Sequence, residues 1–412
     1  MTRLPSAVAT RLRDELHASC FSPASTAGLG RIGAEVEFLV VDAATRRPIP
    51  LEGPSGLLHR IRDYGARAAW REGRTSSGTP SFEIQGRADV TFEPGGQIEI
   101  STAACSSPTE LLTGLDALVT PLRDSLADEG IELLAAGIDP VTPVECVPLQ
   151  LHVERYERMT RYFDRVGPFG VRMMRQTAAV QIGLDRGDRP EARWRLLNRL
   201  APYVIAIFAN SPRYSGRESH HKSFRARCWR MLDPSRTGIP VDDGDAAEAY
   251  TSFALGARDM MRVDATGEHL PFGDWIESGD WDDARWARHL TTLFPEVRPR
   301  GHFEVRSSDA VDPAWYPALV VFLAGIVYDA QSAAEAERLV AGDGDLLERA
   351  GQCGLTDPAI ARTARELASV ALEGAARFPA DYLDPVYVDR ARELFRTFTA
   401  RGRSPGDDHT FE

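Results

Sequence analysis

The sequence is poor in cysteine: five residues, at 20, 105, 146, 228 and 353, an odd number, widely spaced and without a CxxC pair. That pattern indicates neither a disulfide framework nor a thiolate zinc site. Long apolar runs are missing as well. The longest, 316–328, is too short to span a bilayer. Residues 1–20 mix Arg3, Arg11, Arg13, Asp14 and Glu15 among their apolar positions, unlike the unbroken apolar stretch of a signal peptide. These absences point to the reducing cytoplasm and to no membrane partner. There is no block of like charge either. With 48 basic and 60 acidic residues the net charge is −12, so nucleic acid is not an expected partner. Such a chain still binds nucleotide phosphates, because local arginines, metal ions and backbone N–H groups do that work rather than net charge.

What is present is enough apolar material for a large core: 43% of 412 residues are hydrophobic. Leu4, Val8, Leu12 and Leu16 recur as one stripe of an opening helix. Residues 31–42 alternate and predict a strand; 97–102, 131–138, 177–185 and 303–307 predict further strands. Helices are expected over 111–129, over 155–174 with a break at Gly167-Pro168, and over 193–209. Between the first two strands, 74–79 reads as an exposed loop and 93–96 as a turn. From 317 to 400 the pattern is almost entirely helical, and the tail after Arg401 is polar and expected to fray. Neither a regular βαβ alternation nor an all-helical chain emerges, so the fold class is α+β, antiparallel strands with segregated helices. One catalytic unit over 1–412, with a mainly helical part at 317–400, is the expected organisation.

Four strands carry candidate chemistry. In Gly33-Ala34-Glu35-Val36-Glu37-Phe38 the period of two puts Glu35 and Glu37 on one face and Val36 and Phe38 on the other. Neighbouring like charges are destabilising unless neutralised, and a divalent cation does that with hard oxygen ligands; a solvated strand face is the plainer alternative. Around the turn Glu93-Pro94-Gly95-Gly96, Gln97 and Glu99 share a face opposite Ile98 and Ile100, and the glycines allow close approach of the backbone to a ligand. Glu304 and Arg306 lie together opposite Phe303 and Val305, where an ordinary ion pair is the competing reading. Gln181 points away from Val180 and Ile182 and offers an amide oxygen. A separate arginine-rich segment contains Arg225, Arg227, Arg230 and Arg236, whose forks suit carboxylates and phosphates or serve as a charged surface.

Acid residues on several strands, with guanidinium groups supplied from elsewhere, meet the demands of activating a carboxylate. An amine does not displace oxide from a carboxylate, so that oxygen must first become a leaving group, and transfer of the γ-phosphoryl of ATP makes it one. Both reactants are anions. Metal ions and arginines cancel their repulsion and stabilise the charge in flight.

At these residues the sequence resembles the second family of glutamate-cysteine ligases, which includes plant-type enzymes and the ligases that open ergothioneine synthesis. The matching stretches are GAEVEF (33–38), FEPGGQIE (92–99), MMRQTAAVQIGLD (173–185), FANSP (208–212), SFRARCW (223–229), DPSRTG (233–238), HLTTLFPEVRPRGHFEVRSSD (289–309) and GLTDPAI (354–360). The resemblance implies a glutamine synthetase-like catalytic fold, an antiparallel sheet forming an open funnel for ATP, Mg²⁺, L-glutamate and an amine acceptor, with L-cysteine favoured. It implies Glu35, Glu37, Glu93, Glu99 and Glu304 as the metal shell, Glu93 also facing the nucleotide, and Gln181 as a metal or substrate ligand. Arg306 would then steady the transferring phosphoryl group, while Arg225 and Arg236 would take substrate carboxylates or phosphates. The sequence departs from the family at Gly183, where similar sequences often carry asparagine; a smaller residue there keeps another amine acceptor open. A phosphotransferase that stops at the phosphorylated product, and a non-catalytic nucleotide binder, are the readings from other classes. Residues 354–360 and the tail RGRSPGDD look most like the ergothioneine-pathway members.

Overall fold

The alternating stretch at 31–42 becomes the spine of the molecule. In the computed structural model, which describes residues 6–24, 29–240, 244–340 and 346–408, it is the strand β1 (Ile32–Asp42). With β2 (Arg71–Arg74), β3 (Pro80–Ile84), β4 (Ala88–Phe92), β5 (Ile98–Thr102), β6 (Ile131–Leu134), β7 (Ala179–Leu184), β8 (Val297–Pro299) and β9 (Phe303–Asp309) it forms one nine-stranded sheet. The order is β8-β9-β7-β1-β5-β4-β3-β2, and β6 pairs with the far half of β1. All of these pairings are antiparallel, and the α+β expectation is met.

The period of two sorts the sheet into an apolar and a polar face. Val36, Phe38, Ile98, Ile100, Val180 and Ile182 are buried and join one core with Leu115 and Leu122 of the helix Pro108–Ala127 and Trp194 and Leu197 of the helix Pro190–Ile207. Each such side chain contributes roughly 1.5–3 kcal/mol on burial, and this holds in place a strand whose other face carries crowded carboxylates. The helix Pro108–Ala127 begins where Ser107 accepts from the Glu110 N–H and Pro108 occupies the first turn. Gly167 separates the helices Glu154–Val166 and Pro168–Gln176, as the Gly-Pro pair predicts.

Beyond β9 the described chain is helical, from Tyr316–Val327 through Pro385–Thr397. The first of these helices is buried on every side, which accounts for its unbroken apolar sequence; no single described helix is long and apolar enough to cross a membrane.

Several expectations need correcting. Leu4 of the opening stripe lies outside the described residues, though Leu12 and Leu16 do pack inward from the helix Ser6–Leu16. The helix Leu57–Arg67 and the strands β2 to β4 carry no signal singled out in the sequence, while the loop expected at 74–79 is the β2–β3 hairpin turn, except that Arg74 belongs to β2 and pairs with Pro80. The tail is ordered as far as it is described. Ser404 and Asp407 close a capping box, Gly406 N–H donates to Ala209 O at 3.0 Å, and Asp407 pairs with Lys222, so 404–406 are buried.

One irregularity matters for the site. The β7–β9 register shifts by one residue between Val305 and Ser308, a bulge that re-aims the side chains at 306 and 307.

Candidate active site

The register of the central strands places the acids. Glu37 lies directly opposite Glu99 across β1–β5, and Glu35 lies opposite Gln181 across β1–β7. Glu93 precedes the turn that returns to β5. Gly95 there is required by packing, since a Cβ would fall 2.1 Å from Arg175 O, and Gly96 sits at φ +90°. The close approach observed at Gly95 is to the backbone of Arg175. Gln97 braces the same turn: its Oε1 accepts from Gly95 N–H at 2.9 Å and its Nε2 donates to Thr177 O at 2.8 Å.

Glu35, Glu37, Glu93 and Glu99 line one cleft with Gln181, Arg225 and Arg306. The lining also includes an apolar and aromatic set, Tyr156, Met159, Met173, Met174, Trp229 and Phe294, together with Arg155 and Arg298. Glu37 accepts from Ala179 N–H at 2.8 Å and from Gln181 Nε2 at 3.0 Å; Glu99 Oε1 accepts from Thr91 and Ser101 hydroxyls at 3.0 and 2.9 Å. Glu35 and Glu93 keep part of their surface open to the cleft, and Gln181 Oε1 is buried without a partner.

Electrostatics set these groups apart. Burial, then repulsion from Glu99 and Glu304, pushes the Glu35 carboxyl up to about 8. Burial pushes Glu37 up to about 7 despite Arg225 nearby, and burial with Glu37 alongside does the same to Glu99, also to about 7. Glu93 is raised well above the ordinary value by burial and by Glu99, Glu37 and Glu35. Four acids with raised pKa values facing one cleft form a concentration of negative charge that a cation relieves.

Glu304 behaves differently. Burial would raise it, but Arg298, Arg306 and Arg300 outweigh burial and hold it at about 2. Both its oxygens accept from Arg298, Nε at 2.5 Å and Nη2 at 2.9 Å, and Arg306 Nη1 stands 3.9 Å away. An ion pair on this strand was the plain alternative, and the structure makes it with Arg298, the register partner of Glu304 in β8. Glu304 is near enough to perturb Glu35 and Glu99, yet its carboxylate is engaged and not offered to the cleft.

Arg236, expected from the sequence to contact substrate, does not line the cleft. Its guanidinium is fully buried beneath the cleft wall, with Nε donating to Asp233 at 2.8 Å, Nη1 to Thr292 O at 2.8 Å and Nη2 to Arg258 O. Tyr162 also bonds Asp233 and lies under the Arg236 guanidinium, so the DPSRTG turn ties down the helix that carries Tyr156 and Met159. Gly183 is likewise away from the cleft lining: it sits between Gly33 and Glu304 in neighbouring strands, and a Cβ on it would meet His302 at 3.1 Å. Arg155, Tyr156 and Arg298 are site residues that the sequence reading did not single out.

Acids and arginines lining one cleft of an antiparallel sheet, together with the family match, give the class: an ATP-dependent ligase. The chain belongs to the glutamate-cysteine ligase family 2 (GCS2), whose family model matches residues 31–370. It is 33% identical over 404 residues to glutamate–cysteine ligase EgtA of Mycolicibacterium smegmatis, an alignment covering 92% of this chain and 86% of that one. EgtA of Mycobacterium tuberculosis is 31% identical, over 92% of this chain and 85% of its own. The chloroplastic glutamate–cysteine ligase of Nicotiana tabacum is 30% identical, over 73% of this chain and 59% of its own. Among solved structures, the complex between prokaryotic ubiquitin-like protein Pup and its ligase PafA aligns over 93% of this chain and 65% of that chain at 11% identity and a TM-score of 0.40, too distant to bear on the details of this site.

Proposed function

We propose that this protein is a glutamate-cysteine ligase: ATP phosphorylates the γ-carboxylate of L-glutamate, and the amino group of L-cysteine attacks the acyl phosphate to give γ-glutamylcysteine, ADP and phosphate. In the first step a γ-carboxylate oxygen bonds to the γ-phosphorus and the bond to ADP breaks; in the second the C–N bond forms, the C–O bond to phosphate breaks and the amine loses its proton. The reaction is carried by a single catalytic unit over 1–412.

The observation that carries this reading is that Glu35, Glu37, Glu93 and Glu99 line one cleft together with Arg225 and Arg306. The donors suit Mg²⁺. They are hard oxygens, they repel one another, and they include the partnerless Gln181 Oε1. No group of three or more acid, histidine or cysteine side chains among the described residues forms a metal cage. The cleft acids would therefore be shared among more than one ion, each bound through one or two carboxylates and completed by phosphates and water. Glu35, Glu93, Glu99 and Gln181 would hold Mg²⁺, with Glu37 steadying Gln181; Mg²⁺ would supply charge neutralisation for the phosphates. Glu304 would reach an ion only by parting from Arg298. Arg306 faces the transferring phosphoryl group, and Arg225 a substrate carboxylate. The sulfur-rich and aromatic wall of Met159, Met173, Met174, Trp229 and Phe294 suits a small, polarizable side chain on the acceptor, in keeping with the names of the relatives.

The test is an acceptor profile. Purified protein with ATP, Mg²⁺ and glutamate releases ADP on addition of cysteine, and the product has the mass of γ-glutamylcysteine. Turnover with another amine in preference to cysteine points to a different acceptor, and a stable phosphorylated product without an amide points to a phosphotransferase.

A further inference from the structure

Arg306 and Arg236 are both buried arginines lying over aromatic rings, yet their N–H donors are treated differently. Arg236 has its donors engaged by Asp233, Thr292 and Arg258. Arg306 has Nε and Nη1 buried with no hydrogen-bond partner, and the nearest oxygen of Glu304 lies 3.9 Å from Nη1, beyond bonding distance. Burial and the neighbouring Arg298 and Arg225 should make this a poor place for a cation. The charges of Glu304 and Glu35 favour it from a distance, and aromatic faces hold it in contact. The Arg306 guanidinium carbon is 5.0 Å from the Trp229 ring centroid and 5.9 Å from that of Phe294, inside the range where a ring quadrupole attracts a cation. Arg225, one helical turn before Trp229, lies over the same indole at 5.1 Å.

The two rings are themselves fixed. Trp229 Nε1 donates to Phe294 O at 2.9 Å, and the rings meet edge to face with centroids 5.5 Å apart. The backbone of Arg306 is pinned within its bulge: its N–H donates to Glu296 O at 3.0 Å and its carbonyl accepts from Arg225 Nη2 at 2.9 Å. Ser307 then bonds the Glu296 carboxylate at 2.7 Å.

We propose that Trp229, with Phe294 behind it, is a positioning residue: an aromatic seat that fixes the Arg306 guanidinium while leaving its N–H donors free for a phosphoryl anion in the cleft. A carboxylate in the same place would take those donors and lower the positive charge. A π face orients the cation and takes neither. The proposal rests on the ligase reading for the identity of the anion, but not for the seat itself.

The experiment replaces Trp229 in the full-length protein by tryptophans carrying one, two and three ring fluorines, which keep the shape and drain the π face. The expected result is a stepwise fall in kcat, to about a tenth with the trifluorinated ring, with KM for glutamate changed less than about twofold. In parallel, the Arg306 Nε–H resonance of the wild-type protein, assigned by its loss in Arg306→Lys, is shifted upfield by the ring currents and returns towards an ordinary position in Trp229→Leu. A flat fluorine series, or an Arg306 resonance with no ring-current shift, overturns the proposal. Wild-type protein inactive with every acceptor, yet showing the shifted resonance, counts against the ligase reading and supports the seat.

Discussion

Glu35 and Gly183 sit two residue positions apart in register on neighbouring strands of the same sheet, and they separate the chemistry from its surroundings. Glu35 opens onto the cleft with a pKa of about 8. Glu35→Gln keeps the volume and removes the charge, so we expect kcat to fall by about a hundredfold or more while the circular dichroism spectrum and melting temperature are retained; near-normal turnover would remove Glu35 from the metal shell. Gly183 opens onto His302 and not onto the cleft. Gly183→Asn therefore has to displace the imidazole, at a cost of about 1–3 kcal/mol in a denaturation series, and should leave the preference among amine acceptors unchanged. A switch in that preference would return Gly183 to the list of specificity residues. The glutamates were legible because alternation alone puts Glu35 and Glu37 on one face. Arg298 was not, because its tie to Glu304 exists only in the register of the β8–β9 hairpin, and nothing in the spacing of Val-Arg-Pro announces that register.

At the scale of elements, β1 is stabilised by its apolar face and strained by its acidic one. Glu35, Glu37 and Glu99 all titrate above the ordinary carboxylate value, so the folded state holds their protons more tightly than the unfolded chain. Their contribution to stability is complete below about pH 4.5 and is lost as pH rises through 7 to 8. Glu304 has the opposite sign, contributing above its unfolded pKa and losing that contribution only as pH falls towards 2. A bound cation reverses the loss at high pH. We expect Mg²⁺ with ATP to raise the melting temperature more at pH 8.5 than at pH 5.5; an equal or smaller rise at pH 8.5 would mean that these carboxylates are not the ligands. Alternation is also what made β1, β5, β7 and β9 readable. The sequences of β3 and β4 alternate too, with Phe82, Ile84, Val90 and Phe92 buried. They are hard to recognise because β2, paired to β3, is exposed at every residue and gives that hairpin no apolar signature.

For the whole molecule, the antiparallel sheet, the helical C-terminal stretch and the family membership all followed from pattern and motif, since these depend on local period and composition. The partnering of the arginines did not. Arg225, Arg236 and Arg306 look alike in sequence, and only the assembled fold shows Arg236 engaged beneath the cleft wall while the other two face the acids. Glu35 and Glu99 line the cleft and lie close enough to Glu304 that each is perturbed by it, though Glu304 itself is taken up by Arg298. The central claim is that the γ-carboxylate of glutamate is activated by phosphorylation, and isotope transfer tests it most directly. Glutamate labelled with ¹⁸O in its γ-carboxylate is incubated with the protein, ATP, Mg²⁺ and cysteine, and the released phosphate is analysed by mass spectrometry. The account predicts one ¹⁸O atom in the phosphate for each γ-glutamylcysteine formed; phosphate released without label, or label kept wholly in glutamate while ATP is consumed, would contradict it.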